Sequence, residues 1–259
     1  MPIPGQSEPV GPPPDAAERE LFSVDAFLRE FDGSVAAVDA DERAVVFNRT
    51  AFYPGGGGQP HDLGRVEWDG GSAAVTKVGR RDGQIWHWLD VAELPTIGTE
   101  ISGELDWDRR HLLMRTHTAL HILCGVIWSE YQIPVTGGNM EPGTGRLDFP
   151  FEAMSAELGQ RVEARINEEI ARARDIVVTF LGRSEADLDP ALIRTAANLI
   201  PREIDPLRVI DIVGLDRQAD GGTHVTSTAD VGAVVVTGTE SKGKGNKRIR
   251  IAVRDVGTN

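Results

Sequence analysis

The hydrophobic pattern of the chain changes near Asp106, and this change divides the chain into two parts of different character. From about Leu21 onward, short apolar runs alternate with turn signals, which is typical of a small β-barrel or sandwich. After the change, residues 109–131 contain few helix breakers and place apolar side chains at a helical period. We therefore predict an α+β protein. A barrel-like domain over 21–105 precedes an α+β domain over 106–259, which has two long helices on an antiparallel sheet.

The predicted elements follow these two patterns. In the first part, strands are expected over 34–38, 44–47 and 100–105. In the second part, an apolar stripe from Leu158 to Ile170 predicts an amphipathic helix that ends near residue 174. Further elements are expected around the two long helices: strands over 145–151, 176–181 and 207–213, a short helix over 190–200, and a hairpin of 233–237 with 249–253.

The N-terminal segment 1–20 is rich in proline and lacks the basic start and apolar core of a signal peptide. We predict a disordered leader there. No apolar run is long enough to span a membrane, and a single cysteine, Cys124, suits a reducing compartment, so a cytoplasmic protein without a membrane partner is expected. The net charge of −13 argues against broad binding of nucleic acids such as DNA, because an acidic surface repels phosphates.

A local basic segment stands out against this acidic background. Five cations and two glycines crowd into the nine positions 242–250, namely Lys242, Lys244, Lys247, Arg248 and Arg250. A lone basic run of this kind is most often a solvated hairpin turn. The alternative is a local contact with RNA, which the overall charge leaves open.

Two histidines, His117 and His121, lie four positions apart within the first predicted long helix. Side chains at this spacing share one helical face, with Cβ atoms about 5–6 Å apart. Two neutral imidazoles placed in this way can bind one metal ion, and zinc accepts such ligands well. Hydrogen-bonded histidines without a metal are the alternative at this point.

A second polar cluster lies about a hundred residues downstream, where residues 218–224 read QADGGTH. Two consecutive glycines allow a tight turn and a close approach of the backbone to a ligand. In such a turn Asp220 and His224 can point to a common centre. An ordinary Asp-Gly-Gly turn is the alternative.

A third cluster is the glycine-rich segment 53–64, which reads YPGGGGQPHDLG. It is not a phosphate-binding P-loop, because no Gly-Lys-Ser/Thr follows the glycines, and it lacks the spacing of a dinucleotide-binding turn. Four consecutive glycines are costly in unfolded-state entropy. This cost favours backbone brought close to a ligand over a purely structural loop.

Taken together, GGGQP, HTALH at 117–121 and GGTH, in this order, resemble the editing domain of alanyl-tRNA synthetases. The resemblance is closer to the freestanding AlaX proteins, and threonyl-tRNA synthetases have a related domain. It covers residues 48–253 and includes TGGNM at 136–140, RLDF at 146–149 and GKGNKR at 243–248. Each motif alone is weak, whereas their joint order is specific.

The resemblance implies a zinc ion held by the two helix histidines, a cysteine before GGTH and the last histidine. Here these ligands are His117, His121 and His224, while Asp220 occupies the cysteine position. A carboxylate also ligates zinc, so the set is chemically reasonable, although a hard oxygen should lower the preference for zinc. The alternative is a site that binds metal weakly or not at all. Cys124 lies about 10 Å along the helix from the first ligand, so a buried thiol is its expected role.

The activity that the resemblance implies is hydrolysis of the ester in mischarged tRNA(Ala), with seryl-tRNA(Ala) as the expected substrate and glycyl-tRNA(Ala) as a second one. Such a second hydrolytic site is needed because a synthetase pocket cannot strongly reject a near-isostere. We expect Thr50 to bind the serine hydroxyl. Gln59 and the backbone of Gly57 and Gly58 are expected to form the pocket wall.

The body of the tRNA is expected to contact the basic segment through Lys242, Lys244, Lys247 and Arg248. No synthetase partner can be identified from the sequence. Two rival functions remain: a non-catalytic RNA-binding module that lost its metal through Asp220, and a zinc hydrolase that acts on a small aminoacyl ester or amide.

Overall fold

The computed structural model describes residues 11–153, 155–196, 200–241, 243 and 245–255. The chain divides into two compact units, Pro13–Leu113 and the part from Met114 onward. The first unit is a closed β-barrel, and the second combines helices with two antiparallel sheets. The predicted α+β fold class, with a barrel before the α+β part, is confirmed.

Part of the predicted leader has regular structure. Residues 1–10 lie outside the described residues, but Pro14–Arg19 form a short helix, α1. The backbone then pairs with Thr50, which donates to the carbonyl of Arg19 at 2.8 Å and accepts from the amide of Leu21 at 3.0 Å. These backbone hydrogen bonds hold the end of the segment against the first unit, where the composition alone predicted disorder.

The barrel has six strands joined by antiparallel pairs in the order β1-β2-β5-β4-β3-β6, and β6 closes it against β1. The strands are β1 (Glu30–Asp39), β2 (Ala44–Phe47), β3 (Gly64–Trp68), β4 (Gly71–Arg81), β5 (Gln84–Asp90) and β6 (Glu100–Leu105). On β6, buried and exposed residues alternate, as a half-buried strand requires. Gly103 has no side chain because a Cβ there would lie 2.4 Å from the Phe31 ring in the core.

The second unit contains a four-stranded sheet in the order β12-β13-β8-β7 and a three-stranded sheet in the order β11-β10-β9. The strands are β7 (Gly137–Glu141), β8 (Thr144–Phe149), β9 (Ile176–Leu181), β10 (Leu207–Ile212), β11 (Asp216–Ala219), β12 (Ala233–Ser241) and β13 (Lys247–Arg254). The predicted hairpin forms from β12 and β13, and both strands extend further toward the turn than expected.

The two predicted long helices are α2 (Trp107–Tyr131) and α3 (Ala156–Ala171), and a short helix α4 (Arg183–Ala186) follows them. Ser155 caps α3 by accepting a hydrogen bond from the amide of Leu158 at 3.2 Å. The same helix is bonded to β12 through Asn167, which donates to the carbonyl of Val234 at 2.7 Å. Within the described part of the chain, no helix combines the length and apolarity needed to cross a membrane.

The predicted helix over 190–200 is wrong in its described part. Only Pro190–Leu192 form a single 3-10 turn, and residues 197–199 lie outside the described residues. The backbone groups that a helix would use are taken by Val135, which donates to Arg194 at 2.8 Å and accepts from Ala196 at 2.8 Å. A tertiary backbone pairing has therefore replaced the local helix.

Candidate metal centre

Three buried histidines and one partly buried carboxylate converge on one point in the second unit: His117, His121, His224 and Asp220. One ligand atom from each lies within 4.8 Å of all the others. The Asp220 carboxylate is the common neighbour, since it is 3.6 Å from Nε2 of His117 and 3.9 Å from Nε2 of His121. Its other oxygen is 3.3 Å from Nε2 of His224. The structure thus brings together all four predicted metal ligands.

Two different elements supply these ligands. The helix α2 holds His117 and His121 on one face, one turn apart, as their spacing predicted. The turn that follows β11 carries Asp220, whose carboxylate accepts a hydrogen bond from the amide of Gly222 at 2.6 Å. Arg208 on β10 donates to the carbonyls of both turn residues, at 3.0 Å to Asp220 and 2.7 Å to Gly222. These bonds fix the turn in the shape that presents its carboxylate.

Hydrogen-bond partners on the far side of two imidazoles orient the rings. His121 has Nδ1 3.1 Å from a carboxylate oxygen of Asp216, and His224 has Nδ1 3.1 Å from the hydroxyl of Thr118. A carboxylate can only accept, so Nδ1 of His121 carries the proton and Nε2 keeps its lone pair toward the cluster. Burial alone would lower the pKa of His121, but the two nearby carboxylates outweigh it and raise that pKa.

The other ionisable groups of the cluster have the charge states that metal ligands need. Burial lowers the pKa of His117 to about 4. Burial, together with the charge of the neighbouring imidazoles, holds the pKa of His224 well below its usual value. Burial opposes the ionisation of Asp220, but the three imidazoles outweigh it and hold the pKa of that carboxyl well below its usual range. The imidazoles of His117 and His224 are therefore neutral near neutral pH and face an ionised carboxylate, as metal binding requires.

The donor set also fits the dimensions of zinc. A tetrahedral zinc ion with bonds of about 2.0–2.1 Å separates its ligand atoms by roughly 3.4 Å. The three distances from the Asp220 oxygens to the imidazole nitrogens run from 3.3 to 3.9 Å. The residues present thus fit a His₃Asp zinc site in donor chemistry and in approximate spacing. Cys124 is the buried thiol that the sequence predicted, and burial raises its pKa well above the usual value.

The predicted pocket residues Thr50, Gln59, Gly57 and Gly58 all belong to the first unit. Gln59 is buried, and its backbone exchanges two hydrogen bonds with Gly56 at 2.9 and 3.0 Å. This tight loop requires positive φ angles of 58° at Gly57 and 90° at Gly58, which glycine adopts without strain. The run of glycines is therefore needed by the backbone of the loop itself.

Thr50 is buried beside His87, a partner that sequence analysis missed because the two residues lie 37 positions apart. The Thr50 hydroxyl is 2.9 Å from Nε2 of His87 and accepts a hydrogen bond from the amide of Phe52 at 3.1 Å. Nδ1 of His87 lies 3.3 Å from the carbonyl of Val45. Because a carbonyl only accepts, that nitrogen carries the ring proton, and the Thr50 hydroxyl donates to Nε2.

Comparison with known proteins agrees with the sequence motifs. Residues 21–109 match the family described as tRNA synthetases class II (A), and residues 207–250 match the threonyl and alanyl tRNA synthetase second additional domain. The alanyl-tRNA editing protein AlaX-M of Saccharolobus solfataricus is 36% identical over 237 residues, which cover 91% of this chain and 98% of that protein. The chain belongs to the AlaX family. The resemblance inferred from the motifs is confirmed.

Other similar proteins include a second AlaX-M protein and a synthetase. AlaX-M of Methanosarcina mazei is 33% identical over 242 residues, which cover 91% of this chain and 96% of that protein. The alanine–tRNA ligase of Thermococcus kodakarensis is 34% identical over 244 residues, which cover 93% of this chain but 26% of the ligase. The similarity to the ligase is thus confined to about a quarter of its length.

The basic segment of this AlaX protein is only partly described. Lys242 and Lys244 lie outside the described residues. Lys247 is buried, and its ammonium group donates to the carbonyl of Gly243 at 2.7 Å. Arg248 forms two hydrogen bonds to the carboxylate of Asp148, at 2.7 and 2.8 Å. These two cations already have partners within the protein.

The buried His87 should make the stability of the protein depend on pH. Burial lowers its folded-state pKa to about 3, whereas an unfolded histidine titrates near 6.5. Protonation below pH 6.5 therefore favours the unfolded state, and stability is lost as the pH falls from 6.5 toward 3. This one group should remove about 2 kcal/mol from the free energy of unfolding between pH 7.5 and pH 5.

The measurement is urea unfolding at both pH values for the wild type and for His87→Gln, which cannot titrate in this range. All other ionisable groups are common to both proteins, so the difference between the two pH dependences isolates His87. Equal pH dependences in the two proteins would contradict the prediction.

Proposed function

We propose that this AlaX protein is a metal-dependent hydrolase that deacylates mischarged tRNA(Ala), with seryl-tRNA(Ala) as its substrate. The observation that carries the proposal is the convergence of His117, His121, Asp220 and His224, in charge states suited to a metal, within a chain of this family. The relatives are named as alanyl-tRNA editing proteins. A cytoplasmic location remains the prediction made from the sequence.

The roles of the cluster follow from its geometry. His117, His121, His224 and Asp220 would hold zinc, which when bound supplies a positive charge and a template for the aminoacyl end of the substrate. Four protein ligands satisfy tetrahedral zinc, so the cluster is better suited to positioning the aminoacyl end than to activating water directly. Arg208 supports this role because it holds the turn that carries the carboxylate ligand.

The hydrogen bonding of Thr50 favours serine as the recognised side chain. Its hydroxyl proton is directed to His87, and one of its two lone pairs accepts from the amide of Phe52. The remaining lone pair can only accept a hydrogen bond. Serine offers the O–H donor that this acceptor needs, whereas the side chains of glycine and alanine offer none.

The direct test is release of the amino acid from tRNA(Ala) charged with serine, glycine or alanine, in the presence of zinc. Rapid release of serine, with alanyl-tRNA(Ala) left intact, is the expected result. Absence of release while the tRNA still binds would favour the rival RNA-binding module. Recovery of zinc binding and activity by Asp220→Cys from an inert parent would point to the same degenerate site.

Removal of the Thr50 hydroxyl tests the proposed choice of substrate. Thr50→Val keeps the shape of the side chain but removes the acceptor, and a hydrogen bond of this kind is worth roughly 1 kcal/mol. We expect release of serine to slow by about fivefold to tenfold relative to release of glycine. Thr50→Ser retains a hydroxyl and is the matched control, with selectivity close to the wild type. An unchanged ratio of serine to glycine release in Thr50→Val would reject this role.

The contact of the tRNA body with Lys242, Lys244, Lys247 and Arg248 also remains a proposal. Phosphate contacts weaken with rising salt concentration, so alanine substitution of a contacting lysine should reduce the slope of log Kd against log salt. Lys247 and Arg248 have partners within the protein, so their alanine variants could lose stability. The melting temperatures of these variants are therefore compared with that of the wild type before binding is measured.

A further inference from the structure

Asp216 is a fully buried carboxylate that lies behind the metal cluster and is not one of its four ligands. One of its oxygens is 3.1 Å from Nδ1 of His121 and also accepts a hydrogen bond of 2.6 Å from the side chain of Gln218. A buried charge is costly unless it is paired and hydrogen-bonded. Packing of the strand that carries Asp216 therefore does not by itself explain a buried carboxylate at this position.

The fold brings this carboxylate close to the ligand helix in a specific way. Asp216 is the first residue of β11, and Gly125 on α2 faces it. A Cβ at Gly125 would lie 3.0 Å from the Cβ of Asp216 and 2.9 Å from a side-chain carbon of Leu215. The missing side chain allows the strand to approach the helix, so the carboxylate reaches the ring of His121, one turn before the glycine.

A buried cation stands on the other side of the carboxylate. Nε of Arg194 is 3.7 Å from the second oxygen of Asp216, which forms an ion pair without a direct hydrogen bond among the described residues. The guanidinium group lies over the ring of Trp128, with 4.3 Å between its central carbon and the ring centroid. Trp128 lies on α2, two turns after His121. The cation is thus held in place by the helix that carries the metal ligand.

We propose that Asp216, with Arg194 as its counter-ion, is a positioning residue of the metal centre that orients His121 and increases the affinity of the site for the ion. A carboxylate behind a ligating imidazole fixes the ring and its tautomer and makes the ligand nitrogen more basic. This inference rests on the metal-binding part of the proposed function.

Two histidines of the cluster differ in the group that orients them. His224 is oriented by a neutral hydroxyl, that of Thr118, whereas His121 faces a full negative charge. The ligand set already contains the harder donor Asp220, which is expected to bind zinc less tightly than a thiolate. A second carboxylate adds negative charge beside the ion and strengthens one of the weaker neutral ligands.

The test measures metal affinity in the full chain, without any tRNA. Zn²⁺ affinity is measured by competition with a chromophoric chelator, and the ligand geometry is followed by the visible absorption of Co²⁺ bound in place of zinc. Asp216→Asn keeps the size of the side chain and removes its charge. We expect it to weaken the binding of both ions by about 10-fold to 100-fold and to change the Co²⁺ spectrum.

Asp211→Asn is the matched control because it removes one carboxylate from the neighbouring strand β10. Asp211 is half-buried and paired with Arg217 at 3.9 Å, and it contributes no atom to the cluster. Its Zn²⁺ affinity should stay within about twofold of the wild type. Gln218→Leu is a second variant that leaves the charge but removes the 2.6 Å bond that fixes Asp216, with an expected loss of about threefold.

Melting curves of the metal-free proteins show whether each variant folds. If Asp216→Asn does not fold, the Zn²⁺ affinity of Gln218→Leu decides the outcome. Zn²⁺ affinity of Asp216→Asn within twofold of the wild type would overturn the proposal, as would an equal loss in Asp211→Asn. For an unfolded Asp216→Asn, unchanged affinity in Gln218→Leu would overturn it. If the wild type binds Zn²⁺ tightly and Asp216→Asn binds it more weakly, but the wild type releases no serine, the proposed substrate is rejected and the role of Asp216 stands.

Discussion

His224→Ala is expected to abolish tight binding of zinc and to slow the release of serine from seryl-tRNA(Ala) by roughly a thousandfold. The residue supplies one of four converging ligand atoms, and its Nε2 is 3.3 Å from the Asp220 carboxylate. Positioning and charge stabilisation by a bound metal are together worth several kcal/mol, and each 1.36 kcal/mol corresponds to a factor of about ten in rate. Single-turnover release of labelled serine, beside zinc titration of the same sample, measures both effects.

His111→Ala is the matched control, because His111 lies on α2 with the ligands His117 and His121 but outside the cluster, and stacks on the ring of Trp107. It should retain both zinc and activity. Comparison of melting temperatures in the absence of metal separates loss of the ligand from loss of the fold. Wild-type rates of serine release in His224→Ala would refute the metal-dependent mechanism.

The metal ligands were predictable because their signals are local or carried by a motif. The spacing of His117 and His121 places both on one helical face, and the two glycines before Thr223 allow the turn that presents Asp220. The spacing alone does not predict that these two segments meet, because their contact depends on the packing of α2 against β11. That convergence was expected only from the resemblance to a family.

The supporting residues were not predictable in the same way. Asp216 and Arg194 meet across 22 positions of sequence, and Thr50 meets His87 across 37. Side chains at such separations become neighbours only through tertiary packing, and no periodicity marks them. The short helix expected over 190–200 failed for a related reason, since pairing with Val135 used its backbone groups.

The positions of the barrel strands were easier to predict than the order and register in which the strands pair. Alternating apolar residues and turn signals located β1, β2 and β6 close to their observed positions. The order in which the strands pair follows from closure of the sheet, and closure depends on contacts between β1 and β6, about 70 residues apart. The strand β11 escapes detection because its sequence, Asp-Arg-Gln-Ala, shows no alternation of apolar and polar residues.

The second large effect is expected in the first unit, where Arg110 is fully buried and paired with Asp62. The guanidinium group donates to both carboxylate oxygens and also to the carbonyls of Ala26 at 2.8 Å and Ala51 at 2.6 Å. The same carboxylate accepts from the amide of Tyr53 at 2.6 Å, so this one pair holds both ends of the glycine-rich segment. Its loss should therefore affect the barrel and the loop together.

Arg110→Met leaves the Asp62 carboxylate buried without its counter-ion, which costs about 3–5 kcal/mol in comparable buried pairs. The free energy of unfolding measured in urea should fall by that amount. Arg65→Met removes an exposed arginine paired with Glu67 and should cost only about 0–1 kcal/mol, because water screens that pair. The double variant Arg110→Met with Asp62→Leu should recover part of the loss, since no unpaired charge remains buried. A cost in Arg110→Met no larger than in Arg65→Met would show that the pair does not hold the loop, and the glycine-rich segment would then owe its shape to its own backbone hydrogen bonds.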